Sequence, residues 1–362
     1  MNKLFFLLAG IPMIALTIAC SEKIDTPQSI DKKNETVLTV KLDKGLTTRV
    51  VKGDSNSNPN SNTRENDARI DSWSVFVFDE GDANKVLVAG AEGINGNDKS
   101  TSLTVKQYAS VSVYVVANHS FSNAPQTKAA LETELAFLAQ ESYEAFTMVG
   151  QQIVSASKAE TSADVTLSRM VSRIKVKEIS VDFKENPALK NKAITDMEIY
   201  IKNAPTTMAM GMNADGTKFA NNGLDEQNGQ SYSFASALIP EALKNTEASV
   251  ADKHKLNEMW FHCYQKNFTQ APGATDSPVR LIVKGTLNGK TQYWGFDINC
   301  QQHDTTGDND AYGISSNYIY EISMKITNFG ADSEDANPAF NSFTTSIEVA
   351  DWTTIDLGEV EY

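Results

Sequence analysis

Four histidines, three cysteines, ten methionines and 46 carboxylates are the side chains of this 362-residue chain that could carry chemistry. The histidines are His119, His254, His262 and His303. None falls in an HExxH pattern or in a spacing that would gather ligands round a metal ion. His262 lies in an apolar, strand-like run (WFHCY), where a packed or edge residue is the expectation. Met208, Met210 and Met212 alternate with Ala209 and Gly211. Thioethers suit soft copper ions, but the same alternation puts them on one strand face as adaptable core filling, which is the reading taken here. Asp304 to Asp310 (DTTGDND) is acidic and turn-like, without the spacing of a calcium loop. A GxSxG elbow and a phosphate-cradling glycine loop are both missing from the sequence. The residues point away from catalysis, and no metal or cofactor is expected.

The cysteines are more informative. Lys3 followed by the apolar run Leu4 to Ala19, interrupted by Pro12, is too short to span a bilayer comfortably and reads as a signal peptide. It ends in Thr17-Ile18-Ala19-Cys20, which resembles a bacterial lipobox with Thr17 where leucine is usual. In that resemblance residues 1–19 are removed and Cys20 takes the lipid. Cys263 and Cys300 both lie in strand-like text. An exported protein can oxidise its thiols, so they form either one disulfide or two buried thiols.

These residues need elements to position them. Apolar residues make up 41% of the chain and charged residues 22%, as in ordinary globular domains. The length suffices for two domains with their own cores. A formal charge of -14 argues against nucleic-acid binding, which needs a concentrated basic face, and disfavours docking on anionic lipid. After a polar, lysine-containing tether (residues 21–36), Val37 to Leu42 (VLTVKL) alternates. Leu38, Val40 and Leu42 face one side of a half-buried strand, with Thr39 and Lys41 on the other. Thr47-Thr48-Arg49 follows, then Lys52 to Asn62 (KGDSNSNPNSN), a run too polar to pack. One well-formed strand is thus expected on the far side of a flexible, protease-accessible loop.

The folded body begins near Ile70. In Ser72 to Phe78, Trp73, Val75 and Val77 face one side and Phe76 and Phe78 the other, a strand covered on both faces. Ser110 to Ala117 is the strongest strand, Thr127 to Phe137 is a helix carrying Leu131 and Leu135, and Val165 to Val176 is read as one further strand. In the second half Ile194–Ile201, Arg280–Lys284, Gln292–Ile298, Tyr318–Ile326 and Ser346–Val349 are strand-like. Short strands at regular intervals are the mark of β-sandwiches. The expected class is all-β, as two sandwich domains (residues 50–185 and 186–362) with a short helix insertion, behind a removable segment at 20–49.

Several of these segments together resemble the fimbrillins of the Bacteroidales, the FimA-like major fimbrial subunits. The resemblance runs through Cys20, Thr48-Arg49, SWSVFVFD (72–79), VYVVAN (113–118), Met148-Val149-Gly150 and VTLSRMVSRIKV (165–176). It ends in NYIYEISMKI (317–326), Gly330 and Val349-Ala350-Asp351-Trp352. It implies a lipidated outer-membrane precursor, an arginine-specific protease that removes the N-terminal segment with its strand, and two transthyretin-like sandwiches. It further implies a groove filled by a strand from another copy or another fimbrial subunit. Arg49 is the favoured cut because it directly follows the strand, with Arg64 and Arg69 as rivals. The candidate donor is the C-terminal text with Ile347, Val349, Trp352, Ile355, Leu357 and Val360. The room left after Trp352, for one or two terminal strands, favours a shaft subunit over a tip subunit, and an anchor subunit would keep its lipid and stay uncut. A glycan-capturing lipoprotein is the alternative from another class, and would use Trp260, Tyr264, Tyr293 and Trp294 as exposed platforms. Their strand-like context argues for core packing instead.

Overall fold

The alternation of the N-terminal strand sets the inner row of the first sandwich. In the computed structural model β1 (Glu35–Leu42) buries Thr36, Leu38, Val40 and Leu42 and turns Val37 and Lys41 outward. The residues described are 34–42, 69–142, 145–212, 215–221, 224–225, 230–231, 236–239, 243–244, 252–255, 260–267, 277–300, 313–338 and 342–351. Further strands are β2 (Ser72–Asp79), β3 (Leu87–Asn95), β4 (Ser100–Lys106) and β5 (Tyr108–Ala117). After helix α1 (Lys128–Thr133) come β6 (Leu135–Phe137), β7 (Met148–Ala156), β8 (Glu160–Val165) and β9 (Ser168–Arg169). A three-stranded sheet of order β4-β1-β8 covers a five-stranded sheet of order β3-β2-β5-β7-β9. Leu38, Val40, Leu42, Ala163 and Val165 meet Trp73, Val75, Val77, Val113 and Val115 between them.

The other face of β2 and β5 is buried too. Phe76, Phe78, Tyr114 and Val116 pack on Leu131, Leu138 and Phe146 and on Met208, Met210 and Tyr264 from the second half. That cluster joins the first sandwich to the second within one compact unit.

The second sandwich is built from β10 (Val171–Val181), β11 (Ala193–Ala209), β12 (Thr217–Asn221), β13 (Trp260–Tyr264), β14 (Arg280–Leu287), β15 (Lys290–Asp297), β16 (Tyr318–Ile326) and β17 (Phe343–Asp351). One sheet has β10 parallel to β16, with β17 as its edge and β13 on the far side of β10. The other centres on β11, β14 and β15. Ile174, Val176, Ile322 and Met324 from the first sheet face Ile199, Val283 and Trp294 from the second.

Three expectations change. The helix stops at Thr133, because Met210 N–H donates to Glu134 O (2.8 Å) and Gly211 N–H to Glu132 O (3.0 Å). Leu135–Phe137 is thereby drawn into a strand on β11. The stretch 165–176 is not one strand. It passes through β8, β9 and β10, which belong to three different sheets. Among the described residues β10 pairs with strands from the C-terminal half alone, so residues 171–181 are part of the second sandwich, ahead of the boundary expected near 185.

Candidate strand-exchange site

β1 is held on both edges. It runs antiparallel to β4, with Leu38 opposite Leu103 and Val40 opposite Thr101. It runs parallel to β8, with Leu38 opposite Thr161 and Val40 opposite Ala163. Both ladders are formed, and Val37 N–H (to Ala159 O, 2.8 Å) and Leu42 N–H (to Lys99 O, 2.9 Å) close its two ends. Taking β1 away would leave a slot about 9–10 Å wide, two strand spacings, between the unpaired edges of β4 and β8. Its floor would be the apolar row of β2 and β5. Leu38 and Val40 are fully buried and Leu42 nearly so, so their seats hold about 5 kcal/mol of burial free energy.

Thr36 completes the inward row, which the sequence reading had begun at Leu38. Its Oγ1 lies 2.9 Å from Ala156 O and 2.7 Å from Lys158 O, in reach of both carbonyls at the β7–β8 turn. The signal was the two-residue spacing to Leu38, hidden because threonine is polar. Outward, Thr39 Oγ1 and Ser102 Oγ share a hydrogen bond of 3.3 Å. Lys41 stands opposite Asp164 and Glu35 opposite Lys106. The slot therefore has an apolar floor with one hydroxyl seat, and charges of both signs along its rims.

Cys20, Arg49, Arg64, Trp352, Ile355, Leu357 and Val360 lie outside the described residues. Arg69 is exposed, and its guanidinium grips Asp71 (Nε to Oδ1 2.6 Å, Nη2 to Oδ2 3.0 Å), which lowers the Asp71 pKa. Ile347 and Val349 stand in β17, opposite Ile322 and Tyr320, and Ile347 packs on the second core. Cys263 and Cys300 are buried free thiols, so the disulfide alternative is not realised. Burial pushes both thiols up to about 12. Tyr264 and Trp294 are buried and Tyr293 half-buried, which removes two of the four platforms a glycan surface would need. Met208 and Met210 are core residues.

Buried polar side chains meet around β9, β10 and β13. Arg173 Nε donates to His262 Nε2 (3.3 Å), whose ring lies 4.8 Å from that of Phe146. Burial, then the Arg173 cation, holds His262 neutral with its pKa well below the ordinary histidine range. Glu141 accepts from Tyr264 OH (2.8 Å) and Thr147 N–H (2.7 Å), and burial raises its pKa. Arg169 Nη1 reaches Asn317 Oδ1 at 3.3 Å. Arg169, in β9, thus ties the first sandwich to the segment before β16, while Arg173 and His262 pair across β10 and β13 within the second. Among the described residues no group of three or more His, Cys, Asp or Glu could hold a metal.

Residues 36–195, from β1 to the start of β11, match the model of the major fimbrial subunit protein (FimA) family. Over this segment the chain is similar to the FimA family. Solved structures extend the likeness of fold to most of the chain. A fimbrilin (FimA) from Porphyromonas gingivalis superposes with a TM-score of 0.58 at 15% identity, covering 90% of this chain and 99% of its own. A candidate cell-adhesion protein from Bacteroides eggerthii gives 0.60 at 17%, covering 89% and 97%. Another from Parabacteroides distasonis gives 0.56 at 19%, covering 88% and 97%. None of the curated proteins matches the chain. Over most of its length the chain shares the β-sandwich fold of these structures.

Proposed function

We propose that this chain is a FimA-family shaft subunit of a cell-surface fimbria, assembled by proteolytic loss of β1 and its replacement by a strand from a second copy or another fimbrial subunit. The observation that carries the reading is the double pairing of β1. It is a central strand, yet the sequence joins it to β2 through the 29 residues between Leu42 and Ser72, which include Arg49, Arg64 and Arg69. A cut in that stretch separates a complete inner strand from the rest of the chain without touching any other ladder. The empty slot is then a template for β-strand addition. The fibre would carry adhesion at the surface, after export of a precursor lipidated at Cys20.

Strand exchange also has the right energy scale. The seats of Leu38, Val40 and Leu42 are costly to leave empty, so the cut body is poised to take up a donor with the same inward spacing. Ile355 and Leu357 have that spacing, as do Ile347 and Val349. The test is to treat the folded precursor (residues 21–362) with an arginine-specific protease and follow mass and size together. Loss of the segment carrying β1, followed by a ladder of oligomers, supports the reading. A cut product that has lost β1 and remains a monomer at high concentration overturns it.

A further inference from the structure

The start of the folded body, Arg69-Ile70-Asp71, is held by two loops. Asn118 follows the last residue of β5 and has a left-handed backbone (φ 58°), a conformation that asparagine tolerates better than most residues. Its Nδ2 donates to Arg69 O (2.8 Å) and to Phe146 O (2.9 Å). Its Oδ1 accepts from Asp71 N–H (2.8 Å), and its own N–H donates to Ser72 O (2.9 Å). From the other side Gly96 N–H donates to Asp71 O (3.0 Å). Gly96 sits so close that a Cβ on it would lie 1.6 Å from Ile70 O, so only glycine fits. Between these clamps the Ile70 side chain is buried in the first core beside Trp73. The Arg69 guanidinium is engaged with Asp71.

We infer that Asn118 and Gly96 lock this segment against proteolysis, so that the maturing cut falls at Arg49 or Arg64 and Arg69 stays in the mature subunit. The inference rests on the maturation reading above. Peptide hydrolysis adds water across one bond, leaving an arginine carboxylate and a new ammonium on the next residue. A protease acting after Arg69 would have to draw the Arg69 side chain from Asp71 and free the Arg69 carbonyl from Asn118. It would also leave the ammonium on Ile70, whose side chain is buried in apolar surroundings. Cleavage at a held segment goes through local opening, and its rate follows the population of the open form. Three hydrogen bonds must break together: Asn118 to Arg69, Asp71 to Asn118 and Gly96 to Asp71. At a net factor of about five each, the cut after Arg69 is slowed about a hundredfold.

The test is a time course of the precursor (residues 21–362) with an arginine-specific endoprotease, read by intact mass. The folded chain is expected to give products beginning at Val50 or Glu65, with the product beginning at Ile70 at least about a hundredfold slower. The urea-unfolded chain should be cut after Arg69 readily. Asn118→Asp keeps the acceptor and the left-handed backbone but loses both donations, one of them to Arg69 O, and should speed the Ile70 product about fivefold. Comparable rates after Arg69 and Arg64 in the folded wild type would overturn the lock. So would slow cutting after Arg69 in the unfolded chain, or a folded Asn118→Asp variant with no gain. The wild-type comparison decides even where the variant fails to fold. Oligomer growth after the cut reports on the maturation reading alone, and the position of the cut reports on the lock.

Discussion

Leu38→Ala separates the life of β1 in the precursor from its absence in the fibre. Leu38 is fully buried on the inner face of the β4-β1-β8 sheet, in one core with Trp73, Val75 and Val113. Truncation at such a site costs about 3 kcal/mol, the loss of transfer free energy plus the cavity left behind. In the uncut precursor this should lower the unfolding midpoint by about 6 °C, taking the smaller shift per kcal/mol that applies to large units. Under the proposed maturation the fibre lacks this residue, so the fibre built from the variant should melt with the wild type. A weaker hold on the seat should also quicken exchange by up to about a hundredfold where departure of β1 limits the rate. The assay is calorimetry of the precursor and of purified fibre, with light scattering for growth after the cut. Equal destabilisation of precursor and fibre would mean that β1 remains in the fibre, and the reasoning would fail.

Three further outcomes follow from the same geometry. Thr36→Val keeps the shape of the inward row but leaves Ala156 O and Lys158 O without its hydroxyl, so the precursor should lose about 1–2 kcal/mol in a urea titration and the fibre none. An unchanged precursor midpoint would refute a role for the hydroxyl. The pKa of His262 is depressed in the folded state, so the unfolded chain binds the extra proton first as pH falls. Its contribution is present above the unfolded histidine value of about 6.5 and is lost below it. His262→Gln should flatten that acid limb between pH 6.5 and 4.5, and a limb of unchanged steepness would show that other groups carry it. Cys263 and Cys300, with pKa values pushed up to about 12, should resist thiol reagents in the native mature protein and both react on unfolding. An intact mass two protons short before treatment would contradict the free thiols.

Much of this was legible in single stretches of sequence, where one pattern speaks for one environment. VLTVKL announced a strand with one wet face, and Leu38, Val40 and Leu42 are buried in order. SWSVFVF announced a strand covered twice, and its two faces serve two cores. What stayed hidden depends on partners far away in the chain. Leu135 has helical spacing to Leu131, but the carbonyls at the helix end are taken by residues 210 and 211, and the chain turns into a strand. The run 165–176 interleaves apolar and polar residues from end to end with no glycine or proline, so nothing local marks where it leaves one sheet for the next. Thr36 finds its acceptors about 120 residues later, which no spacing rule reports. The parallel β1–β8 pairing is likewise non-local, and it is the contact that makes β1 a central strand instead of an edge.

Under the proposed maturation, β1 must leave before the fibre can grow. Thr39 and Ser102 face each other across β1 and β4, with hydroxyls 3.3 Å apart, and a cysteine at each position can be oxidised to tie the strand in place. The measurement is size-exclusion chromatography of this Thr39→Cys, Ser102→Cys precursor after arginine-specific cleavage, with and without reductant. The account predicts a cut but monomeric protein that still carries its N-terminal peptide while oxidised, and oligomers within the same sample once reductant is added. Oligomers that form equally well with the disulfide closed would contradict it.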